Sequence, residues 1–201
     1  MNKNVFAVSF ALSLLINTTF ASISEKRVIE DVLITDSLKV ESDGKPLTLP
    51  LLGAGIRKKN IAFLKFKVYV ASIFAKNKKS WENEEEPIAI QLHFLRSIPI
   101  GKVIDSFSNS LKMNDVNLDN PEMKKIFEIV KKNGDIKDQQ ALTILGTRGK
   151  NDELTFTLSS GESEKIIGSK GLVRDFFTIW FGKSEDSGLE KLMEQVLKEN
   201  E

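Results

Sequence analysis

Arg57 and Tyr69 are the two residues of this chain whose chemistry and spacing suit the binding of an anion. Arg57 follows the glycine-containing segment 51–56, and Tyr69, the only tyrosine, lies twelve residues further along. Glycine permits positive φ angles or a close approach of other backbone, so we expect a glycine-bent turn that directs Arg57 inward. An inward guanidinium needs an anion, and a phenol can donate a second hydrogen bond to that anion. The pair therefore predicts an anion site.

Both residues also have plain structural interpretations. Arg57 precedes Lys58 and Lys59, and a basic triplet is usually part of a solvated turn. Tyr69 is of a type common in half-buried strands. Lys65 and Lys67 share its predicted face, however, which indicates that this face meets water or a polar cleft. The residues alone leave these alternatives open.

The remaining reactive side chains do not form a recognisable constellation. His93 is the only histidine, and it is best explained as a solvent-facing or hydrogen-bonded strand residue, because a general base needs a partner that spacing does not identify. Ser106, Ser108 and Ser110 suit the wet face of a helix and do not lie in a nucleophile elbow. One histidine, no cysteine and scattered carboxylates predict neither a metal site nor a cofactor.

Alternating apolar residues predict several antiparallel strands that must position Arg57 and Tyr69. Leu38 and Val40 lead into an Asp43-Gly44 turn signal, after which the alternation resumes, so a hairpin is expected. The segment from Ile61 to Phe74 is predicted to be one long strand, and segments 88–94 and 154–158 repeat the pattern.

Apolar residues at helical spacing predict four helices. Three stripes run from Ile100 to Leu111, from Met123 to Val130 and from Leu172 to Trp180; Asn120 is the expected N-cap of the second. Ser187 with Glu190 predicts a capping box that opens the last helix. The aromatic residues of the third stripe, Phe176, Phe177 and Trp180, are typical of a core, although they could also line an apolar pocket. The element order predicts an α+β fold: an antiparallel sheet with a layer of helices on one face.

Two motifs resemble the chalcone isomerase-like family, especially its bacterial exported members. One is Gly53-x-Gly55-x-Arg57 followed by an aromatic-rich strand with Tyr69 twelve residues beyond the arginine. The other is the helix ending 175–182, Asp-Phe-Phe-Thr-Ile-Trp-Phe-Gly. The resemblance extends over roughly residues 30 to 197.

The resemblance implies that Arg57 lies in a ligand cleft, where the matching arginine faces a phenolate in plant isomerases and a carboxylate in fatty-acid-binding relatives. Tyr69 matches the binders, since plant isomerases have a threonine there. The isomerases also have a catalytic tyrosine in the helix after Phe94, and the matching residue here is aliphatic, Ile104 by our alignment. We therefore expect a non-catalytic protein that binds a small apolar, fatty-acid-like acid through Arg57 and Tyr69.

Two other functions remain open at this point. One is a true intramolecular lyase of the chalcone isomerase type, acting on a flavonoid-like or enone substrate, with Arg57 and Tyr69 as its catalytic residues. The other is an interaction protein of the cell envelope that binds no ligand. Turnover would distinguish the first, and retention of an apolar anion would separate both ligand-dependent functions from the second.

The first 21 residues are typical of a secretory signal peptide. Lys3 precedes an apolar stretch from Val5 to Ile16, and Thr19-Phe20-Ala21 resembles a cleavage site; an uncleaved N-terminal anchor is the alternative. Cleavage would leave residues 22–201 as one domain without a stable membrane anchor, in a periplasm or outside the cell. Without Lys3, 28 basic residues balance 28 acidic ones, so the net charge favours neither nucleic acid nor an anionic membrane as a partner.

Overall fold

The computed structural model describes residues 27–42, 44–61 and 63–198. The predicted signal peptide lies outside the described residues. The elements are, in chain order, β1 (Arg27–Ile29), β2 (Val32–Ile34), β3 (Ser37–Ser42), β4 (Lys45–Ile61), β5 (Leu64–Ala75), β6 (Ile88–Phe94), α1 (Ile100–Met113), α2 (Pro121–Lys132), β7 (Ala141–Arg148), β8 (Asp152–Leu158), β9 (Ser163–Gly168), α3 (Leu172–Phe181) and α4 (Ser187–Lys198).

Seven of the strands form one antiparallel sheet in which every strand pairs with its neighbours in sequence, from β3 at one edge to β9 at the other. β1 and β2 form a separate two-stranded ribbon. Antiparallel neighbours need only short connections, and the helical segments 100–132 and 172–198 form the layer on one face of this curled sheet. The predicted α+β fold, an antiparallel sheet with a layer of helices, is confirmed.

The predicted glycine-bent turn before Arg57 is wrong. Gly53, Gly55 and Arg57 all lie inside β4, which pairs with β5 from Leu51 to Ile61 and has register shifts at 51–53 and 57–58. The predicted strand from Ile61 to Phe74 corresponds to β5, which begins later, at Leu64, because Ile61 still belongs to β4. The glycines serve the other expected purpose: a Cβ at Gly53 would lie 2.1 Å from the carbonyl oxygen of Val196, so they let α4 approach the strand.

Both faces of the sheet are covered, but by different elements. Ile73, Ile90, Ile144 and Phe156 are cross-strand neighbours on the face that packs against the helices. The opposite face carries Phe74 and its neighbours, and it is covered where the sheet curls over the β3–β4 hairpin.

Tyr69 is buried on the helix-covered face, so the prediction that its face meets water or a polar cleft is wrong at this residue. The alternation from Lys65 and Lys67 does not extend to Tyr69 because the pairing of β4 with β5 shifts between Lys67 and Tyr69. Lys67 pairs with Lys58 and Tyr69 with Arg57, which leaves Val68 as an extra residue on β5, and Val68 and Tyr69 both belong to the core.

All four predicted helices are present, and local signals explain their ends. The side chain of Asn120 accepts a hydrogen bond from the backbone N–H of Glu122 at 2.9 Å, which confirms it as the N-cap of α2. The cap of α4 was predicted one residue too late. Asp186 precedes the helix, and its Oδ1 accepts hydrogen bonds from the N–H groups of Gly188 at 2.9 Å and Leu189 at 3.2 Å.

Candidate functional site

Arg57 and Tyr69 meet because the β4–β5 hairpin places them directly opposite one another. The guanidinium carbon of Arg57 lies 5.5 Å from the centroid of the Tyr69 ring, within the range of a cation–π interaction. Their twelve-residue separation is thus the length of chain that runs up one strand and back down the other. The structure brings the two predicted site residues together.

Arg57 is directed inward, and an anion from within the chain neutralises it. Only 8% of the residue is exposed, and its Nη2 donates a hydrogen bond to Oδ2 of Asp186 at 2.6 Å. Its Nε is buried and has no hydrogen-bond partner among the described residues. The charge of Arg57 is therefore compensated, while its donors are not all used.

Burial and neighbouring charges shift the pKa values of Arg57 and Asp186 in opposite directions. Burial tends to lower the pKa of Arg57, but the charge that Tyr69 would carry if ionised and the charge of Asp186 together raise it. Burial tends to raise the pKa of Asp186, but the charge and hydrogen bond of Arg57, with the N–H groups that α4 presents, hold this pKa below its usual range. Both groups are therefore charged near neutral pH.

Tyr69 is buried as a neutral phenol between Arg57 and the helical layer. Its hydroxyl oxygen accepts a hydrogen bond from Nε1 of Trp180 at 3.3 Å, and its ring meets Phe94 edge-on with centroids 5.7 Å apart. Burial raises the pKa of Tyr69, although Arg57 and the hydrogen bond from Trp180 act to lower it. Since the hydroxyl is an acceptor toward Trp180, its own hydrogen remains able to serve an acceptor near Arg57.

Asp186 is the site residue that the sequence analysis missed. One carboxylate oxygen caps α4 and the other binds Arg57, so the carboxylate fixes the helix start and the guanidinium to each other. The short run Ser184-Glu185-Asp186-Ser187 before an apolar stripe contains an N-cap signal that fits Asp186 as well as Ser187. Its pairing with Arg57 follows only from where α4 docks.

α4 docks on β4 through the glycines and one amide side chain. The backbone N–H of Ile56 donates to Oε1 of Gln195 at 3.0 Å, and a Cβ at Gly55 would lie 2.7 Å from that same oxygen. The side chain therefore occupies the space that Gly55 leaves. Gln195 lies in the last turn of α4. The start of the helix is also close to β4, since a Cβ at Gly188 would lie 1.8 Å from the carbonyl oxygen of Lys58, and Asp186 consequently lies beside Arg57.

A cleft of about 410 Å³ opens at Arg57, between the outer part of the β4–β5 hairpin and the start of α1. Phe66, Val68, Ile98 and Pro99 give it apolar walls. Among the described residues, its lining contains four cations and no carboxylate; the cations are Arg57, Lys59, Arg96 and Lys102. Apolar walls with convergent cations suit an apolar anion. Tyr69 lies behind Arg57 rather than in the described lining.

A second, more polar cleft of about 570 Å³ adjoins the first and shares Lys59, Lys102 and Ser106 with it. Asp186 lines this second cleft together with hydroxyl and amide side chains of α1, including Asn109 and Ser110. The Arg57–Asp186 ion pair thus lies at the boundary between an apolar cationic cleft and a polar one.

The aromatic residues of α3 belong to the core. Phe176, Phe177 and Trp180 are buried and contact one another with centroids 5.9 to 6.3 Å apart, and Phe107 of α1 meets Phe176 and Trp180 edge-on. These rings pack with aliphatic side chains between sheet and helices, and the cleft at Arg57 lies at the rim of the fold.

The other candidate side chains lie apart from Arg57. His93 is half-buried on β6, with its Nε2 3.3 Å from Oε1 of Gln139, in keeping with a hydrogen-bonded strand histidine. Ile104 is half-buried on α1 and packs against the core. Within residues 27–42, 44–61 and 63–198, no group of three or more histidine, aspartate or glutamate residues could hold a metal ion.

The fold and the site define an α+β protein with a buried arginine at the rim of a curled antiparallel sheet. The model of the chalcone isomerase-like family matches residues 26–196, and the chain belongs to this family. No curated protein matches the chain. A solved structure with a similar fold is that of an Arabidopsis thaliana fatty-acid binding protein, with a TM-score of 0.59 and 17% identity over 81% of this chain and 97% of that chain. At this identity the likeness establishes the fold.

Proposed function

We propose that this protein is exported and binds a small apolar acid, similar to a fatty acid, without converting it. The observation that carries the proposal is the cleft of about 410 Å³ with apolar walls, lined by a buried arginine that retains a donor without a partner among the described residues. This volume lies within the roughly 300–1,000 Å³ of small-molecule sites. The fatty-acid-binding function of the Arabidopsis protein supports the choice of ligand class.

The head group is assigned to Arg57 and the apolar chain to the cleft walls. A carboxylate can accept from the free Nε of Arg57 while Nη2 keeps Asp186, or it can displace Asp186 and bind the guanidinium with both of its oxygens. Tyr69 is assigned the second hydrogen bond, because its hydroxyl hydrogen is not used by Trp180. Lys59, Arg96 and Lys102 would attract the acid to the entrance.

The proposal includes no turnover, because the site lacks a group that would polarise the enone oxygen of a substrate. Ring closure of a chalcone requires a held phenolate and a polarised enone oxygen. Arg57 can serve the first purpose, whereas α1 presents Ile104 where the isomerases have a tyrosine, and Tyr69 is the only tyrosine in the sequence.

Binding of a medium-chain fatty acid and of its methyl ester, measured by calorimetry, tests the proposal. The acid should bind more tightly than the ester, and Arg57→Lys should weaken only the acid, because lysine keeps the charge and loses the planar fork. Arg174→Lys is the matched control, since Arg174 is an exposed arginine paired with Asp175 and Glu84. Equal affinity for acid and ester, or an Arg57→Lys variant that binds the acid as the parent does, would remove Arg57 as the anchor.

Export has a separate test. N-terminal sequencing of the protein from the cell that makes it should find a chain beginning near Ser22. A chain that keeps Met1 in a soluble cytoplasmic fraction would contradict export and leave the binding proposal untouched.

A further inference from the structure

The outer part of the β4–β5 hairpin projects beyond the rest of the sheet. β3 pairs with β4 only from Lys45 to Pro50, and β6 pairs with β5 only from Tyr69 onward, so residues 59–61 and 63–67 have no further strand of the described chain beside them. The tip of this ribbon carries two adjacent large apolar side chains in the open: Phe63 is fully exposed and Leu64 is 63% exposed. Single exposed apolar residues are common, but an adjacent pair on a projecting tip marks a contact surface.

Lysines flank this apolar tip on both strands. Lys59 and Lys65 are exposed next to it, and Lys58 lies directly opposite Lys67 one step further in. Like charges opposite one another in a sheet are unfavourable. Lys67 is paired with Glu30, whereas Lys58, Lys59 and Lys65 have no ion pair among the described residues. The nearly neutral net charge of the chain conceals this local cluster.

The cluster continues along the apolar cleft. Arg96 lies over the ring of Phe66, 4.7 Å from its centroid, and both residues line the cleft together with Lys59 and Lys102. One end of the molecule therefore presents a protruding apolar tip, a ring of cations and the entrance of the cleft.

We propose that the tip of the β4–β5 hairpin docks on an anionic lipid surface, with Phe63 and Leu64 in the interface and the lysines at the head groups. A protruding tip can enter a lipid surface, whereas it offers a protein partner no pocket. Lysine is depleted at the centres of protein interfaces, while it is favoured at the surface of anionic membranes. Docking would face the cleft toward a source of apolar acids, but the proposal needs only the tip and stands whether or not the cleft binds one.

The first experiment compares flotation of the full chain with vesicles of phosphatidylcholine alone and with vesicles that also contain phosphatidylglycerol. The parent should bind the anionic vesicles and lose binding as salt is added. Phe63→Ser combined with Leu64→Ser should weaken binding at least about tenfold. Ile167→Ser is the matched control, because Ile167 is 57% exposed on β9 and should not matter. Each of Lys59→Gln and Lys65→Gln should cost about fivefold.

A second measurement separates the tip from any contribution of the N-terminal segment. In the Phe63→Trp variant, the fluorescence of the added indole should shift to the blue and be quenched by brominated lipid, after subtraction of the parent spectrum from Trp81 and Trp180. Unchanged flotation of the tip variant, or a reporter that stays in water, overturns the proposal. So does a concentration-dependent dimer in sedimentation that Phe63→Ser abolishes, since the tip would then bind a second copy of the chain.

Discussion

At the scale of single residues, one carboxylate makes two contacts that hold the site together. Asp186 is 28% exposed in its side chain, caps α4 with one oxygen and neutralises Arg57 with the other. A buried charge without a partner is costly, so the protein keeps a resident anion on Arg57 when no ligand is bound. Under the proposed function, a ligand acid must use the remaining donors of Arg57 or displace Asp186, so Asp186 would act as an internal competitor of the ligand.

Two substitutions separate the capping of α4 by Asp186 from its ion pair with Arg57. Asparagine caps helices about as well as aspartate, so Asp186→Asn should keep α4 and remove only the charge from Arg57. We expect it to lower the free energy of unfolding by about 1–3 kcal/mol, because a buried donor loses its partner. It should also tighten binding of the fatty acid. Asp186→Ala should cost about 1 kcal/mol more, the value of the lost cap. Urea unfolding and calorimetry give both quantities, and acid binding that is weaker in Asp186→Asn would contradict the competitor role.

The same ion pair predicts a pH dependence. The folded-state pKa of Asp186 lies below its usual value, so its stabilisation is complete above the unfolded pKa and is lost as the pH falls through the folded pKa. Unfolding of the parent and of Asp186→Asn in urea should therefore differ most near neutral pH and converge in acid. A constant difference down to the acid limit would show that Asp186 stabilises by some other means than its charge.

Tyr69 allows a direct test of the second hydrogen bond. Tyr69→Phe should weaken binding of the fatty acid by about 1.5–3 kcal/mol, the range for a hydrogen bond to a charged partner. A double-mutant cycle with Arg57→Lys should show coupling, since both donors serve one head group. If Tyr69→Phe leaves binding unchanged while Arg57→Lys weakens it, Tyr69 only supports Arg57 and the hydroxyl serves Trp180 alone.

At the scale of elements, the docking of α4 on β4 decides where the site residues lie. The helices could be predicted because their apolar stripes and caps are local: Leu189, Leu192, Met193 and Val196 are buried as their spacing indicates. The role of Gly53 and Gly55 could not be predicted, because a glycine pair fits a turn as well as it fits a strand that a helix approaches closely. The pairing of Arg57 with Asp186 joins residues 129 positions apart and depends on that helix position.

Gly53→Ala tests the docking of α4. Its methyl group would lie 2.1 Å from the carbonyl oxygen of Val196, a backbone atom that cannot rotate away, so the helix must shift. We expect a loss of about 1–3 kcal/mol in the free energy of unfolding, typical of overpacking. Gly101→Ala on α1 is the control, because its methyl group meets nothing within 4 Å. It should leave stability unchanged or raise it by roughly 0.5–1 kcal/mol. A neutral Gly53→Ala would mean that α4 is held elsewhere.

At the scale of the whole molecule, the interior between sheet and helices is filled by aliphatic and aromatic side chains, and the cleft lies at the rim. A ligand there is only partly enclosed, which suits reversible binding better than chemistry that must exclude water. No helix of the described residues is long and apolar enough to cross a membrane.

We expect a negative result with chalcones, because the site lacks one of the two groups that ring closure needs. Purified protein should not accelerate the loss of chalcone absorbance above the spontaneous reaction, because Arg57 is the only clear candidate for either of the two groups that ring closure needs. A chalcone isomerase assayed in parallel is the control for substrate and conditions. A large, stereoselective acceleration that Arg57→Ala abolishes would establish the lyase function instead.

The separation of α4 and β4 along the chain determines when, during synthesis, the contact between them can form. Ile56 and Gln195, whose contact seats α4, are 139 positions apart, and Asp186 precedes the last helix. Contacts between residues so far apart form late and slow folding. Arg57 therefore cannot pair with Asp186 until a further 129 residues have been synthesised. Under the proposed export, the ribosome would expose the leader long before the fold could close, and translocation could begin on a chain that is still open.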